Sequence, residues 1–540
     1  MKNKYKILAL SLLLVFGLTS CDDFLDLRPE NEIILEDFWE TKADVESVLS
    51  ACYRGLTERA CIERMMVWGE LRSDNIVEGR GMPNSLIDMR RILIGELTAH
   101  NRYAEWESFY AVINYCNTLL HYAPGVRGKD NNFTQIDLQL VQGEAITLRA
   151  LAYFYLVRAF RDIPYVTEPS ISDTQDYQHF QAPEEKVLDN IIKDLEDVIS
   201  NGWVRDSYGI TEYDKGRITK SAVYALLADV YLWKGDLDNC IKACNAALDN
   251  PDLLLIEDTE QMFSQIFYRK NSTESIFELQ FQQRNIANSA VADLYGSPTS
   301  NRGYFAFPTE LAYQRFSNRV FTGVASPFNY RLPDNSYESV ADIRADYFVS
   351  KHAGDLYGLF KYAGGNAMRI GTSNPPQYMY AYNPEPTTSN WIIYRITDVM
   401  LMKVEALVQT ESGNVLDNRT EAMELLNTTY LRSNPGATPL RITNYPAKQD
   451  LEALVLRERQ RELLFEGKRW FDLVRMVRRD EAMLATLNKL VQAKASEQTA
   501  PLGAIVPDAM YMPILQKEMD VNKNLIQNNY YESTSSSSRN

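Results

Sequence analysis

The chain has 540 residues, 45% hydrophobic and 24% charged. That suits three or four average domains or one large helical array, and excludes a disordered or collagen-like chain. Lys and Arg number 56 against 72 Asp and Glu, a formal charge of -16, which argues against a nucleic-acid binder because neutralising phosphates takes clustered cations. Only 4 His are present, against a multi-histidine metal site, while 32 Tyr, 21 Phe and 7 Trp make aromatic rings abundant.

The chain opens with Lys2, Lys4 and Lys6, followed by an apolar stretch at 7–18 that is too short to span a bilayer. It ends in Leu18-Thr19-Ser20-Cys21. Small residues before the cut and a thiol at it resemble a bacterial lipoprotein signal; the alternative is an ordinary secretory signal with an incidental cysteine. Residues 1–20 are therefore expected to be removed, with a lipid on Cys21 tethering the protein to a membrane rather than spanning it. No later run of about 18 apolar residues occurs. Everything after Cys21 is expected to be soluble and extracytoplasmic. Cys52, Cys61, Cys116, Cys240 and Cys244 remain, an odd number that argues against a fully paired disulfide framework.

Residues 22–36 are short and polar, and read as a tether. Apolar residues at helical spacing then predict helices over 37–56, 106–120, 138–160 and 184–199, the last opening just after Pro183. Residues 218–251 match the tetratricopeptide pattern at most of its spacings: Tyr224, Leu227, Ala228, Tyr231, Gly235, Cys240, Cys244, Ala247 and Pro251. In that pattern Ala228 and Cys240 are the small residues where two helices approach, so Cys240 and Cys244 read as packing thiols in preference to a metal or redox pair. Residues 276–281 alternate like a strand. From there to 394 Pro and aromatic residues are dense, and loops of that length are usually functional. Helical pattern returns at 392–408, 419–431 and 451–478. The end, STSSSSRN, is low-complexity and expected to be disordered.

Six blocks in order resemble the SusD/RagB family of outer-membrane nutrient-binding lipoproteins: CDDFLDLRP at 21–29, GEAITLRALAYFYLVRAFRDIPYV at 143–166, the hairpin at 218–251, YRITDVMLMKVEAL at 394–407, RERQRELLFEGKRWFDLVR at 457–475 and YMPILQKEMDVNKNLIQNNYY at 511–531. Arg161-Asp162 departs from a Phe-Gly-type step frequent in the family, and Ile514-Leu515 and Asn528-Asn529 stand where extra Pro or Gly is common. The resemblance implies a mainly α fold of tetratricopeptide-like helical hairpins packed with a loop-rich irregular region containing short strands. It implies a signal peptide at 1–20, a lipidated tether at 21–36, an N-terminal helical part at 37–270, a C-terminal part at 271–531 with an aromatic loop insertion at 281–394, and a tail at 532–540. It also implies a protein that binds without catalysis or cofactor, anchored at the cell exterior as the lid of a SusC-like TonB-dependent barrel. Asp22 and Asp23 fit the family's surface-export signal.

A sugar site needs flat aromatic faces for the C–H side of the ring and carboxylate, amide and guanidinium groups for its hydroxyls. The 281–394 segment supplies Tyr295, Tyr304, Tyr378 and Tyr380, although Tyr is so frequent that some rings must pack loops instead. WGELRSDNIVEGR at 68–80 supplies Asp74, Asn75 and Arg80. The resemblance places the Asp74-Asn75 loop near the ligand face, and HNRY at 100–103, with Asn101, is expected to share it; turn and cap roles are the alternative for Asp74 and Asn101. Trp106 reads as core, since Phe109, Tyr110 and Ile113 share its face. The charges at 457–475 read as an ion-pair network at helical spacing, with Arg459 and Arg469 flanking Glu462 and Glu466, in preference to a catalytic pair. No phosphate loop, zinc-protease motif or nucleophile elbow occurs, and no metal site is expected. The resemblance favours an oligosaccharide ligand. A peptide ligand, a lipid-anchored glycoside hydrolase and a pure assembly scaffold are the alternatives.

Overall fold

The computed structural model describes residues 38–172, 174–257, 262–282, 286–297, 302–308, 342–351, 357–364, 368–370, 377–379, 386–494 and 502–532. The export signal, Cys21, the tether, Tyr380 and the tail from 533 on lie outside the described residues.

The helices that position the site are α1 (Lys42–Thr57), α2 (Arg59–Met66), α3 (Ile87–Leu93), α4 (Glu107–Val126), α5 (Gln135–Phe160), α6 (Glu184–Ser200), α7 (Thr211–Gly216), α8 (Lys220–Lys234), α9 (Leu237–Leu248), α10 (Ser289–Tyr295), α11 (Ile396–Gln409), α12 (Val415–Ser433), α13 (Lys448–Glu462) and α14 (Arg469–Arg479). They pack in succession: α1 on α4, α4 on α5, α5 on α6, α6 on α8, α8 on α9, α9 on α11 and α11 on α12. α5 starts at a reciprocal cap between Thr134 and Asp137, and from Gly143 onward nearly every residue is buried. A helix apolar on all sides has to run through a core. α6 instead buries one stripe, Val187, Leu188, Ile191, Leu195 and Val198, as its spacing predicts.

The hairpin of α8 and α9 has the predicted form. Gly235 ends α8 with φ of 87°, a left-handed cap that glycine adopts without strain. Asp236 then opens α9, its carboxylate accepting from the Asn239 backbone N–H at 3.3 Å. Cys240 and Cys244 are buried free thiols on α9. Arg161 adopts φ of 71° at the end of α5, in the left-handed region that favours glycine. That strain is offset by an ion pair to Asp508 at 3.2 Å and by the Tyr511 ring beneath the guanidinium.

The strands that bear on the site are β1 (Val77–Glu78), β2 (Ser275–Leu279), β3 (Phe305–Phe307), β4 (Val349–Lys351), β5 (Tyr357–Leu359) and β6 (Trp391–Arg395). β1, β3, β5 and β4, in that order, form an antiparallel sheet in which Val77 faces Ala306 and Ala306 faces Gly358. β2 pairs with β6, Trp391 opposite Leu279. The predicted helix at 392–408 therefore begins as a strand. The buried run Trp391-Ile392-Ile393-Tyr394 has no periodicity that separates the two states, and its pairing with β2 decides. The main core runs from Trp39 to Tyr531 through both the helices and the sheet; a smaller one holds Leu401, Val404, Leu426, Tyr430 and Leu454 between α11, α12 and α13.

The predicted helix over 451–478 breaks into α13 and α14, because Phe465 and Gly467 both take left-handed φ, 67° and 70°. The charges of that block form an internal network, but mostly not between helical neighbours. Glu462 accepts from Arg344 at 2.8 Å, Arg395 at 2.6 Å and Arg432 at 2.5 Å. Glu466 accepts from Lys361 at 2.6 Å and from Arg395 at 2.7 Å. Arg459 pairs with Asp472 at 2.9 Å, and Arg475 with Glu405 at 2.7 Å. Inward-facing charges at helical spacing meet partners carried by other elements, so the block ties α13 and α14 to α11, α12, β6 and the segment at 342–362.

Candidate functional site

α2 begins a cavity of about 440 Å³. Arg59 and Glu63, one helical turn apart, line one side together with Arg64. Arg59 donates to Asp293 of α10 at 2.6 Å and lies 3.5 Å from Glu63. Burial would pull its guanidinium down, but the Asp293 and Glu63 carboxylates outweigh it and hold it above the usual range. Arg64 pairs with the Glu105 carboxylate and also donates to its backbone carbonyl at 2.6 Å.

The second wall is the short 3-10 helix Arg102–Ala104. Its cap is Asn101, whose carbonyl accepts from the Tyr103 N–H at 3.0 Å and whose amide donates to the Asp88 carbonyl of α3 at 2.9 Å. The cap turns Arg102 and Tyr103 toward the cavity, with Arg102 donating to the Tyr103 hydroxyl at 2.6 Å. Among the described residues no carboxylate ion-pairs with Arg102, which is exposed. Burial and Glu63 push the Tyr103 phenol up to about 12, so it stays protonated at neutral pH.

Tyr304 closes the third side, just ahead of β3. Its carbonyl accepts from the Gly79 N–H at 2.8 Å, and the 302–305 backbone lies directly on the 79–81 strip. A Cβ on Gly81 would stand 1.7 Å from the Arg302 carbonyl oxygen, so only glycine permits this approach. Burial and Asp293 raise the Tyr304 phenol as well. Guanidinium donors, carboxylate acceptors, protonated phenols and a half-buried ring share one opening. That set can divide the hydroxyls of a polyol or sugar.

Of the predicted site residues, Tyr304 lines the cavity, and exposed Arg80 follows Gly79 beside it. Four others are buried and do not line it, and a direct ligand contact does not fit their burial. Asp74 is 3% exposed, and both its oxygens accept from Arg469 at 2.8 Å; burial raises its carboxyl, Arg469 outweighs that, and the result lies below the usual range. Asn75 is fully buried between Glu70 and Gln460, each at 2.7 Å. Asn101 is the buried cap described above. Tyr295 is buried and donates to the Phe465 carbonyl at 3.0 Å. These groups hold the loop and β3 in place. Tyr378 falls in the strand Gln377–Met379, opposite Arg369. Trp106 is core, edge-on to Phe160.

Arg59, Glu63, Arg64 and Glu105 escaped the sequence reading. Charges one turn apart on a helix look the same whether they face solvent or a cavity, and only the fold of 302–308 over α2 separates the two. Described rings of the aromatic segment pack on each other or on the core: Tyr362 stacks on Trp391 at 5.1 Å and Phe307 meets Phe465 edge-on at 5.9 Å. Among the described residues no group of His, Cys, Asp and Glu is placed to hold a metal ion, and no helix is long and apolar enough to cross a membrane.

A scaffold of helical hairpins carries a polar, tyrosine-lined cavity beside a small irregular sheet. The chain belongs to the SusD/RagB family: the SusD family model matches residues 361–531, and a second model, described as starch-binding and associating with the outer membrane, matches residues 23–232. SusD-like protein P38 of Formosa agariphila is 26% identical, covering 97% of this chain and 99% of that one; SusD-like protein P2 of the same organism is 24% identical over 88% and 91%. Among solved structures, a SusD homologue from Bacteroides thetaiotaomicron superposes with a TM-score of 0.68 at 20% identity, covering 92% of this chain and 98% of that one. Surface glycan-binding protein A from the same organism, in complex with laminarihexaose, gives 0.65 at 19% identity, over 91% and 100%.

Proposed function

We propose that this protein is a lipid-anchored receptor at the outer face of the outer membrane that binds oligosaccharides and passes them to a SusC-like TonB-dependent transporter. The observation that carries this reading is the cavity of Arg59, Glu63, Arg102, Tyr103 and Tyr304, a hydroxyl-recognising set in a chain of this family. The family model's outer-membrane description and the glycan complex of the structural neighbour support it. Cys21 carries the lipid and the residues after it serve as the tether. Arg80, at the exposed edge beside Tyr304, extends the contact. The residues named act by binding: arginines and phenols donate, Glu63 and Glu105 accept, and the Tyr304 ring offers a face.

The test is native affinity electrophoresis of the chain lacking residues 1–21, through gels cast with a panel of polysaccharides. Each mixture is also assayed for new reducing ends, and peptide pools are titrated by calorimetry. Retardation by a polysaccharide without cleavage is the expected result. Heat from peptides alone would move the ligand class to peptide. New reducing ends would make the protein a hydrolase, with Glu63 and Glu105 as the carboxyl pair such chemistry needs.

A further inference from the structure

Cys52, Cys61, Cys116, Cys240 and Cys244 are all buried free thiols in this structure. Cys52 lies on α1, in the buried stripe Val45, Leu49, Cys52 and Leu56. Cys116 lies on α4, in the buried stripe Phe109, Val112, Cys116 and Leu119. The two helices pack on each other, and both thiols are fully enclosed in the seam. Of all the groups that act on the Cys52 thiol, the Cys116 thiol is the foremost, and with burial it pushes Cys52 well above its usual range. The backbones also approach closely here. A Cβ on Gly55, the next turn after Cys52, would stand 2.8 Å from Val112 Cγ2 and 3.5 Å from the Tyr115 ring. Going forward from Cys52 to Gly55 on α1 goes back from Cys116 to Val112 on α4, so one antiparallel seam holds both contacts.

The other thiols are placed differently. Cys240 and Cys244 stand one turn apart on α9. Cβ atoms at that helical spacing are about 5–6 Å apart, whereas a disulfide needs about 3.5–4.5 Å, so bridging them would unwind the helix. No thiol is among the groups that act on Cys61. We propose that Cys52 and Cys116 are joined by a disulfide in the exported protein, and that Cys61, Cys240 and Cys244 stay as thiols. The space outside the cytoplasm is where such bonds form and persist. The two thiols give up two protons and two electrons as the S–S bond forms; the electrons pass to a protein or small-molecule disulfide, which leaves as two thiols. An enclosed thiol held in its protonated form is a poor nucleophile, so the exchange takes place before α1 docks on α4. α1 is the first helix after Cys21 among the described residues, and a pull on a lipid there reaches the fold through it. The bond keeps α1 from peeling away. The inference rests on the exported location proposed above and on no ligand.

The test secretes the chain lacking residues 1–21 into an oxidising compartment behind a cleavable signal, so its outcome does not turn on the protein's own export. Thiols are blocked with N-ethylmaleimide in denaturant at lysis. The intact mass then gives the number blocked, and mapping of the unreduced peptides gives the linkage. Three of the five cysteines should be blocked in wild type, with one linked peptide pair carrying Cys52 and Cys116, and all five should be blocked after prior reduction. Cys116→Ala should show all four of its remaining cysteines blocked. Five blocked thiols in unreduced wild type would overturn the proposal, and so would a linkage between any other two cysteines. The deciding count is made on wild type, so it stands even where Cys116→Ala folds poorly.

Discussion

Replacing Glu462 with Ala is expected to lower stability by about 3–5 kcal/mol, measured as the shift in urea midpoint at constant slope. Glu462 faces Arg344, Arg395 and Arg432, all buried. Removing the carboxylate leaves three guanidinium groups in low dielectric, with Glu466, Glu458, Asp342 and Glu274 as the remaining counter-charges. The loss is a large part of the roughly 5–15 kcal/mol that holds a typical domain together. The same group sets an acid limit. Burial alone would raise the Glu462 carboxyl, but Arg432, Arg395 and Arg344 outweigh it and hold the carboxyl well below the usual range. A depressed folded-state value means that its stabilisation is fully present above the unfolded value of about 4.3 and is lost as pH falls further toward the folded one. Glu274 and Glu278 work the other way: burial raises both carboxyls, so a cost present at neutral pH is relieved on acidification. Wild type should therefore hold its stability down to about pH 4 and lose it below. Glu462→Gln should show a shallower acid limb, by up to about 1.4 kcal/mol per pH unit for the one proton removed from the balance. An acid limb as steep as that of wild type would mean that Glu462 is not the group that titrates.

Gly69→Ala is expected to cost about 3 kcal/mol, at the upper end for overpacked positions, or to abolish soluble expression. Gly69 sits in the π-helical turn Val67–Leu71, and a Cβ there would stand 1.9 Å from the backbone carbonyl oxygen of Gly467. That neighbour cannot swing aside as a side chain tip would. Gly467 lies between Glu466, bound to Lys361 and Arg395, and Lys468, bound to Asp398 at 3.0 Å. Moving its carbonyl pulls on all three ion pairs. A melting temperature within a degree of wild type would show that the turn yields enough to admit the methyl group.

The helical frame was legible because its signals are local. Gly235, Ala228 and Cys240 mark the hairpin at fixed spacings, and α6 shows its buried stripe in the order of its residues. The charge block from Arg457 to Arg475 was legible as structural, but its partners were not. Helical spacing suggested neighbours along one helix, whereas Arg344, Lys361 and Arg395, which answer Glu462 and Glu466, lie 67 to 118 residues away in sequence. The candidate site shares two segments with the sequence reading, through Tyr304 and the 100–103 turn, and few of its residues. Asp74, Asn75 and Asn101 have the polar groups a ligand wants, but the same groups tether a loop to α14 or cap a short helix, and sequence does not separate the two uses. Arg59 and Glu63 become site residues only when Tyr304 is laid across α2, a contact between segments more than 200 residues apart.

The proposed ligand site is the cavity between Arg59, Arg102 and Tyr304. It is tested most directly by measuring the affinity of a retarding polysaccharide for wild type and for the Arg102→Ala/Tyr304→Ala double variant. Arg102 has no carboxylate partner among the described residues and Tyr304 is half-buried, so the fold should survive both changes. The prediction is about a hundredfold weaker binding, one order for the charged donor and one for the ring, with the melting temperature unchanged. Undiminished binding by the folded double variant would contradict it and place the ligand elsewhere on the molecule.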